Sequence, residues 1–356
     1  MASVLGAVRR LALAPALSEV TFTRRGFPGA NSAGAARLEA VPQAVVCGFE
    51  WGIGGGGLWE LERRLELVDL EMRGFAYEGA VMALTILDAA GPRRGHRTRD
   101  LLTGPGRAHL LLAYIGIGFA MARLPRPLWR NVLPDLAGMR YHPTMSWLAV
   151  DGLGFDRAYF DTRRWVTDQQ RPAPYPWQGT PDYFPRAFDQ GIGRALWFIH
   201  GGQPQPVAAA VDRFAPERRG DLWSGVGLAA TFAGAAPEVD LGSLPKLAGG
   251  HRADLAQGAI FAATARTAAG FVPGHATTAT EALTGMSVAD AAALAEQVAV
   301  SHPTGEGDPA AATDGGAGSP PDGTPAHQPS DGTPAYELWR SRIREQFTGT
   351  PSRPLH

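Results

Sequence analysis

Residues 114–120 read Tyr-Ile-Gly-Ile-Gly-Phe-Ala, and the same framework of small residues returns along the chain. Six segments align on one glycine: YEGAVMA (Gly79), YIGIGFA (Gly116), VDGLGFD (Gly152), DQGIGRA (Gly191), WSGVGLA (Gly225) and AQGAIFA (Gly258), at intervals of 33 to 39 residues. Four positions after the glycine stand Ala83, Ala120, Asp156, Ala195, Ala229 and Ala262, and four segments carry a second glycine two positions on, at Gly118, Gly154, Gly193 and Gly227. Residues four apart share one face of an α-helix, so each segment stacks small residues in one stripe. A glycine inside a helix costs about 1 kcal/mol relative to alanine. Its recurrence points to another helix approaching too closely for a side chain, with approach of a ligand to the backbone as the weaker alternative.

Short segments bounded by proline or glycine lie between these helices: LPRPLWRNVLPDL, PQPVAAAVDRF after Gly201-Gly202, and LGSLPKLAGG. One glycine-bearing helix plus one shorter helix per period predicts an all-α fold of stacked helical hairpins, solenoid- or toroid-like. The expected organisation is an N-terminal helical or irregular region over residues 1–70 packed on the body and a repeat domain over 71–302. A disordered acidic Gly/Pro linker over 303–335 and an amphipathic helix over 336–348 follow. VPQAVVCGF (41–49) and TFTRRGF (21–27) read as short strands, too few for a sheet. The linker lacks aromatic and branched apolar residues and cannot bury enough surface to offset chain entropy. Beyond it, YELWRSRIREQF places Tyr336, Trp339, Ile343 and Phe347 on one face, with Thr333 and Pro334 as N-cap and first helical position.

With 45% apolar residues among 356, a sizeable core is available. The net charge of −1 argues against a partner whose recognition rests on phosphate neutralisation, so no nucleic acid is expected. The single cysteine, Cys47, excludes a disulfide within one chain. The longest apolar run, HLLLAYIGIGFAMARL (109–124), falls short of the roughly 18 to 20 residues that span a bilayer and reads as a buried helix. The N-terminus, with Arg9-Arg10 before a short apolar stretch, reads as a basic amphipathic segment and not as an export signal. A cytoplasmic protein is the expectation.

Familiar catalytic signatures are missing. GIGGGG (52–57) satisfies a dinucleotide fingerprint formally, but no parallel sheet surrounds it, and a flexible glycine loop is the better reading. No histidine pair has metal-site spacing, and Ser224 lacks the glycine that a nucleophile elbow requires. No cofactor or metal is expected. One pattern remains. The residue before each framework glycine is Glu78, Ile115, Asp151, Gln190, Ser224 or Gln257: polar in five of six cases, on otherwise apolar helices. Buried polar groups must be hydrogen-bonded, and bonding to the neighbouring helix is the favoured explanation. The functional alternative has them converge in an interior groove. Glu78, Asp151, Asp156, Arg194 and Asp221 would then supply proton transfer or charge stabilisation, and His109, Gln190, Ser224 and Gln257 would hold a ligand.

Read in order, RGFAYEGAVMALTILD, AYIGIGFAMARL, YHPTMSWLAVDGLGFDRAYF, GIGRALWF, RRGDLWSGVGLAATFAG and LAQGAIFAATAR resemble the UnbL-like domain of unknown function. SEVTFTRRGF near the start and YELWRSRIREQF near the end extend the resemblance over nearly the whole chain. Members of that family are encoded beside enediyne polyketide synthases in actinobacteria. The resemblance therefore implies a role in enediyne antibiotic biosynthesis, as an enzyme or accessory factor acting on a polyene polyketide intermediate. The alternative is a non-catalytic binding or scaffold protein for the polyketide synthase, for other pathway proteins or for a reactive intermediate. The family supplies no catalytic residues to carry over.

Overall fold

The computed structural model describes residues 16–91, 95–236, 238–299 and 332–348. Among them all regular structure is helical. Seven long helices follow one another: α1 (Ala35–Ile53), α2 (Leu70–Ala90), α3 (Leu110–Arg123), α4 (Trp147–Phe160), α5 (Phe184–Ile199), α6 (Pro216–Ala233) and α7 (Arg252–Ala268). Then come α8 (Gly274–Thr284), α9 (Val288–Gln297) and α10 (Ala335–Thr348). The segment 303–331, expected to be disordered, lies outside the described residues, as do residues 1–15.

Both expected strands are helices. TFTRRGF folds as a single turn, Phe22–Arg25, with the Thr21 hydroxyl accepting from the Arg24 N–H and Gly26 ending it at φ 65°. VPQAVVCGF lies inside α1. Its valines suggest a strand by propensity, but Leu38, Val41, Phe49 and Ile53 are buried at helical spacing, and burial of one face overrides a weak propensity. GIGGGG has a helix on its N-terminal side: Gly52 and Ile53 are the last residues of α1 and Gly54 to Gly57 form the turn into Leu58–Glu66, so the dinucleotide reading fails. The connecting helices appear at Pro204–Asp212 and Leu244–Ala248. LPRPLWRNVLPDL instead forms only a 3-10 segment, Arg126–Asn131, because its prolines remove backbone donors. At α10 the carbonyl of Pro334 accepts from Glu337 and Leu338, so the helix begins one residue later than the Thr333-Pro334 pattern predicts.

Consecutive long helices pack side by side, α1 on α2 through α6 on α7, and the glycines set their spacing. A Cβ on Gly116 would stand 2.2 Å from the carbonyl oxygen of Glu78, and one on Gly152 2.3 Å from that of Ile115. On Gly191, Gly225 and Gly258 it would meet the carbonyls of Asp151, Gln190 and Ser224 at 1.9 Å. The carbonyl belongs each time to the residue just before the framework glycine of the preceding helix. The second glycines answer from the other side: a Cβ on Gly118 would stand 2.1 Å from Ala149 O, and one on Gly193 2.0 Å from Leu222 O. With no Cβ, each glycine presents a Cα–H to a carbonyl, a weak attractive contact that recurs where helices touch.

The last long helices return to the first. Arg37 of α1 donates to Ala233 O of α6 at 2.8 Å and ion-pairs with Glu71 of α2. Arg266 of α7 donates to Glu71 O at 2.9 Å, and Phe75 of α2 meets Phe232 of α6 edge to face. The long helices thus enclose a common interior. Helix α10 docks on α7 and α9 with Tyr336, Trp339 and Ile343 buried, and the Trp339 indole N–H donates to Ala295 O at 2.9 Å.

Candidate functional site

Position −1 before the framework glycine lies near the seam, and its side chain is carried into the protein. Glu78, Asp151, Gln190, Ser224 and Gln257 are all at most 2% exposed, yet they fall into two groups. Asp151, Gln190, Ser224 and Gln257 sit on four consecutive helices and bond to one another. Gln190 Nε2 donates to Asp151 Oδ2 at 2.7 Å, and Ser224 Oγ donates to Gln257 Oε1 at 2.8 Å and, more weakly, to Gln190 Oε1 at 3.4 Å. The chain continues into α10: the Tyr336 hydroxyl lies 3.1 Å from Gln190 Nε2, and Arg340 Nε donates to Gln257 Oε1 at 3.0 Å.

Arg340 is fully buried and anchors this region. Its Nη1 donates to Asp221 at 2.7 Å, to the Tyr183 hydroxyl at 2.8 Å and to Glu337 at 3.1 Å. Arg186 bridges Asp221 and Glu337, each at 3.0 Å, and Arg344 reaches Glu337 at 2.6 Å. Burial alone would push the Glu337 carboxyl up, but Arg340, Arg186 and Arg344 outweigh it and hold it at about 2. Asp221, Gln190, Ser224 and Gln257 are therefore engaged in holding α10 and line neither interior cavity described below. His109 stands apart as well. It stacks on Tyr77 at 4.4 Å, its Nδ1 is buried without a hydrogen-bond partner, and burial, reinforced by Arg73 and Arg266, pushes it down to about 4.

Glu78 is different because its counterparts on α1 and α3 are Val45 and Ile115, which offer no side-chain partner. It makes no hydrogen bond among the described residues and faces an apolar interior. Two cavities have its side chain in their walls. The first is lined from α1 through α5, has a volume of about 60 Å³, and runs to a rim at Arg123 and Phe160. The second, about 20 Å³, is lined mainly from α2, α3, α5, α6 and α7. Phe75, Glu78, Arg194 and Phe198 line both. Burial pushes the Glu78 carboxyl up to about 8; Arg194 pulls it back and Asp151 adds to the rise. Arg194 ion-pairs with Asp151 through Nη1, lies over the Phe155 ring with its guanidinium carbon 4.9 Å from the centroid, and keeps a buried Nε with no partner. At the rim, buried Asp156 takes a 2.7 Å bond from Arg123, and burial raises its carboxyl against the pull of Arg123, Arg157 and Arg25.

The structure thus brings Glu78, Arg194 and Asp156 of the expected catalytic set to one space, with Asp151 behind Arg194, and places Asp221 elsewhere. What the sequence reading missed is position +3. Counted from the framework glycine, it gives Met82, Phe119, Phe155 and Arg194 in the first cavity, and Leu228 and Phe261 in the second. Positions −1 and +3 are four apart and share a helix face. A scan of +3 for a lone charge among aromatic and aliphatic residues would have singled out Arg194. Helix α1 also went unrecognised as a member of the series. Val46 stands in place of its framework glycine, but a Cβ on Gly48 would stand 1.9 Å from Ala76 O, as on the other second glycines it would meet the matching carbonyl, and Phe49 lines the first cavity at +3.

The arrangement offers two largely apolar cavities with one carboxyl, Glu78, and one guanidinium, Arg194, in the wall they share. Among the described residues no group of three or more His, Cys, Asp or Glu side chains is placed to hold a metal ion, and no helix is long and apolar enough to cross a membrane. No curated protein and no solved structure matches the chain. Residues 4–313 match the model of a family described as a protein of unknown function, DUF1702. That span is nearly the whole chain, and the protein belongs to the DUF1702 family.

Proposed function

We propose that this protein takes an extended polyene polyketide intermediate of enediyne biosynthesis into its interior and acts on it there by acid–base chemistry at Glu78. One observation carries the reading: two apolar cavities share Glu78 and Arg194 in their walls and are otherwise lined largely by aromatic and aliphatic side chains. A planar conjugated chain suits such walls, because aromatic rings stack on its π-face. A carboxyl with a pKa near neutrality can both give and accept a proton, so Glu78, which starts protonated, can give its proton to one carbon of the chain and take one back from another. That isomerisation balances without any co-reactant. The recurrence of the glycine contacts supports reading the long helices as one helical-hairpin repeat closed into a toroid around the passage.

The test mixes purified protein with a conjugated polyene and follows its absorbance. Binding shifts the bands and carries the polyene with the protein through gel filtration; conversion changes the band pattern. Phe155→Trp fills the passage and is expected to abolish both. Glu78→Gln is expected to keep binding and lose conversion. Failure of the polyene to co-elute with wild-type protein would sink the proposal. The alternative, a non-catalytic holder or scaffold, is favoured by the engagement of Gln190, Ser224, Asp221 and Gln257 in docking α10. Binding with an unchanged band pattern would select it.

A further inference from the structure

Resting on that reading, we infer that the ligand is a slim conjugated chain carrying one neutral carbonyl group, and that Arg194 and Glu78 receive this carbonyl where the two cavities meet. The two side chains are the polar part of the shared wall; the rest is the rings of Phe75 and Phe198. Arg194 is 6% exposed and has Asp151 as its hydrogen-bond partner, through Nη1. Its Nε–H is buried with no acceptor. Glu78 is 2% exposed and makes no hydrogen bond among the described residues. A hydrocarbon filling the passage would leave these donors buried and unsatisfied, which costs more than a made hydrogen bond returns. A ligand oxygen at the junction removes that cost.

Charge balance decides the kind of oxygen. The positive charge of Arg194 is already matched by Asp151, and the other arginine on the passage, Arg123, is matched by Asp156. A carboxylate brought to the junction would be a buried charge without a counter-ion, the most expensive group to bury. A neutral carbonyl accepts hydrogen bonds from the guanidinium and from the protonated carboxyl and adds no charge. Burial keeps Glu78 protonated over most of the physiological range, which makes it a donor here.

Three probes with one carbon chain separate the possibilities: parinaric acid, its methyl ester and the corresponding tetraene hydrocarbon, whose fluorescence rises in apolar surroundings. At neutral pH wild-type protein is expected to bind the ester about tenfold more tightly than the hydrocarbon, the effect of one hydrogen bond to a charged donor, and the ionised acid most weakly. The paired change Asp151→Asn with Arg194→Met removes both charges without stranding either, and is expected to bring the ester down to the affinity of the hydrocarbon. The wild-type ranking decides the matter even if that variant does not fold. Ester and hydrocarbon bound equally, or acid bound best, would overturn the carbonyl assignment and leave the cavity reading standing. Binding of none of the three would overturn the cavity reading as well.

Discussion

Replacing Gly191 with alanine tests the close-packing argument at one of its tightest contacts. A Cβ there would stand 1.9 Å from Asp151 O and 2.6 Å from Phe155 N, both backbone atoms of α4. Neither is the end of a flexible side chain, so relief requires the two helices to separate by roughly 1.5 Å to reach an ordinary contact at 3.4 Å. Tilting cannot supply it, because Gly154 holds the same pair together at Phe188 O, where a Cβ would stand at 2.1 Å. A gap of about 0.5–1 Å forfeits a quarter to a half of the dispersion energy across a contact, and overpacking of this kind costs about 1–3 kcal/mol or more. The separation also stretches the bonds from Asp151 to Gln190 and Arg194. Counting about 2 kcal/mol for those two buried bonds and setting about 1 kcal/mol of gained helix propensity against the whole, the net expectation is a loss of about 2–4 kcal/mol. With a urea dependence near 3 kcal/mol per molar, the unfolding midpoint read by circular dichroism should fall by about 1 M. Gly274→Ala, where a Cβ meets nothing within 4 Å, is the control and should lie within about 0.5 kcal/mol of wild type. A Gly191→Ala protein as stable as wild type would refute the claim that these glycines exist to let helices touch.

Glu78 should make stability fall with rising pH. Its folded pKa of about 8 exceeds the ordinary 4.5, so the unfolded chain releases the proton first. Its contribution is full below about 4.5 and is lost as pH rises to about 8, on the order of 1.4 kcal/mol per unit. Glu78→Gln, with Arg194 and Asp151 untouched, should therefore gain on wild type between pH 5 and 8 in urea midpoint; parallel curves would remove the buried-acid assignment. Glu337 has the opposite sign: held at about 2 by Arg340, Arg186 and Arg344, it contributes above about 4.5 and that contribution is lost as pH falls through 2. Glu337→Gln leaves those arginines underpaired and should cost about 3–5 kcal/mol, with α10 cleaved by protease ahead of the body; equal resistance would show that the ion cluster does not hold the helix. Removing residues 332–356 should uncover the site of Trp339 beside Phe261 and raise binding of an apolar dye, and no rise would mean the face closes by other means.

Much of this was readable without coordinates. Glycine two helical turns deep in an apolar segment, with alanine four residues on, already favoured a helix at touching distance over a ligand at the backbone, because a buried seam repeats along a chain. The amphipathic face of α10 followed from Tyr336, Trp339, Ile343 and Phe347. The order of residues at position −1 also held more than was drawn from it. Asp151, Gln190, Ser224 and Gln257 occupy consecutive helices and can bond to one another, whereas Glu78 has Val45 and Ile115 on either side and cannot. Helix α1 escaped because Val46 replaces its marker glycine and because β-branched residues mimic a strand; its identity came from burial, which is a property of the assembled fold. Only the tertiary structure decided that Arg194 pairs with Asp151 and shares a cavity wall with Glu78, and that Arg340 of the last helix takes Asp221. Those partners are far apart along the chain. Arg194 reaches Asp151 because α5 lies against α4, and Arg340 reaches Asp221 because α10 docks back on the body; both depend on how whole helices are placed, which local sequence does not fix.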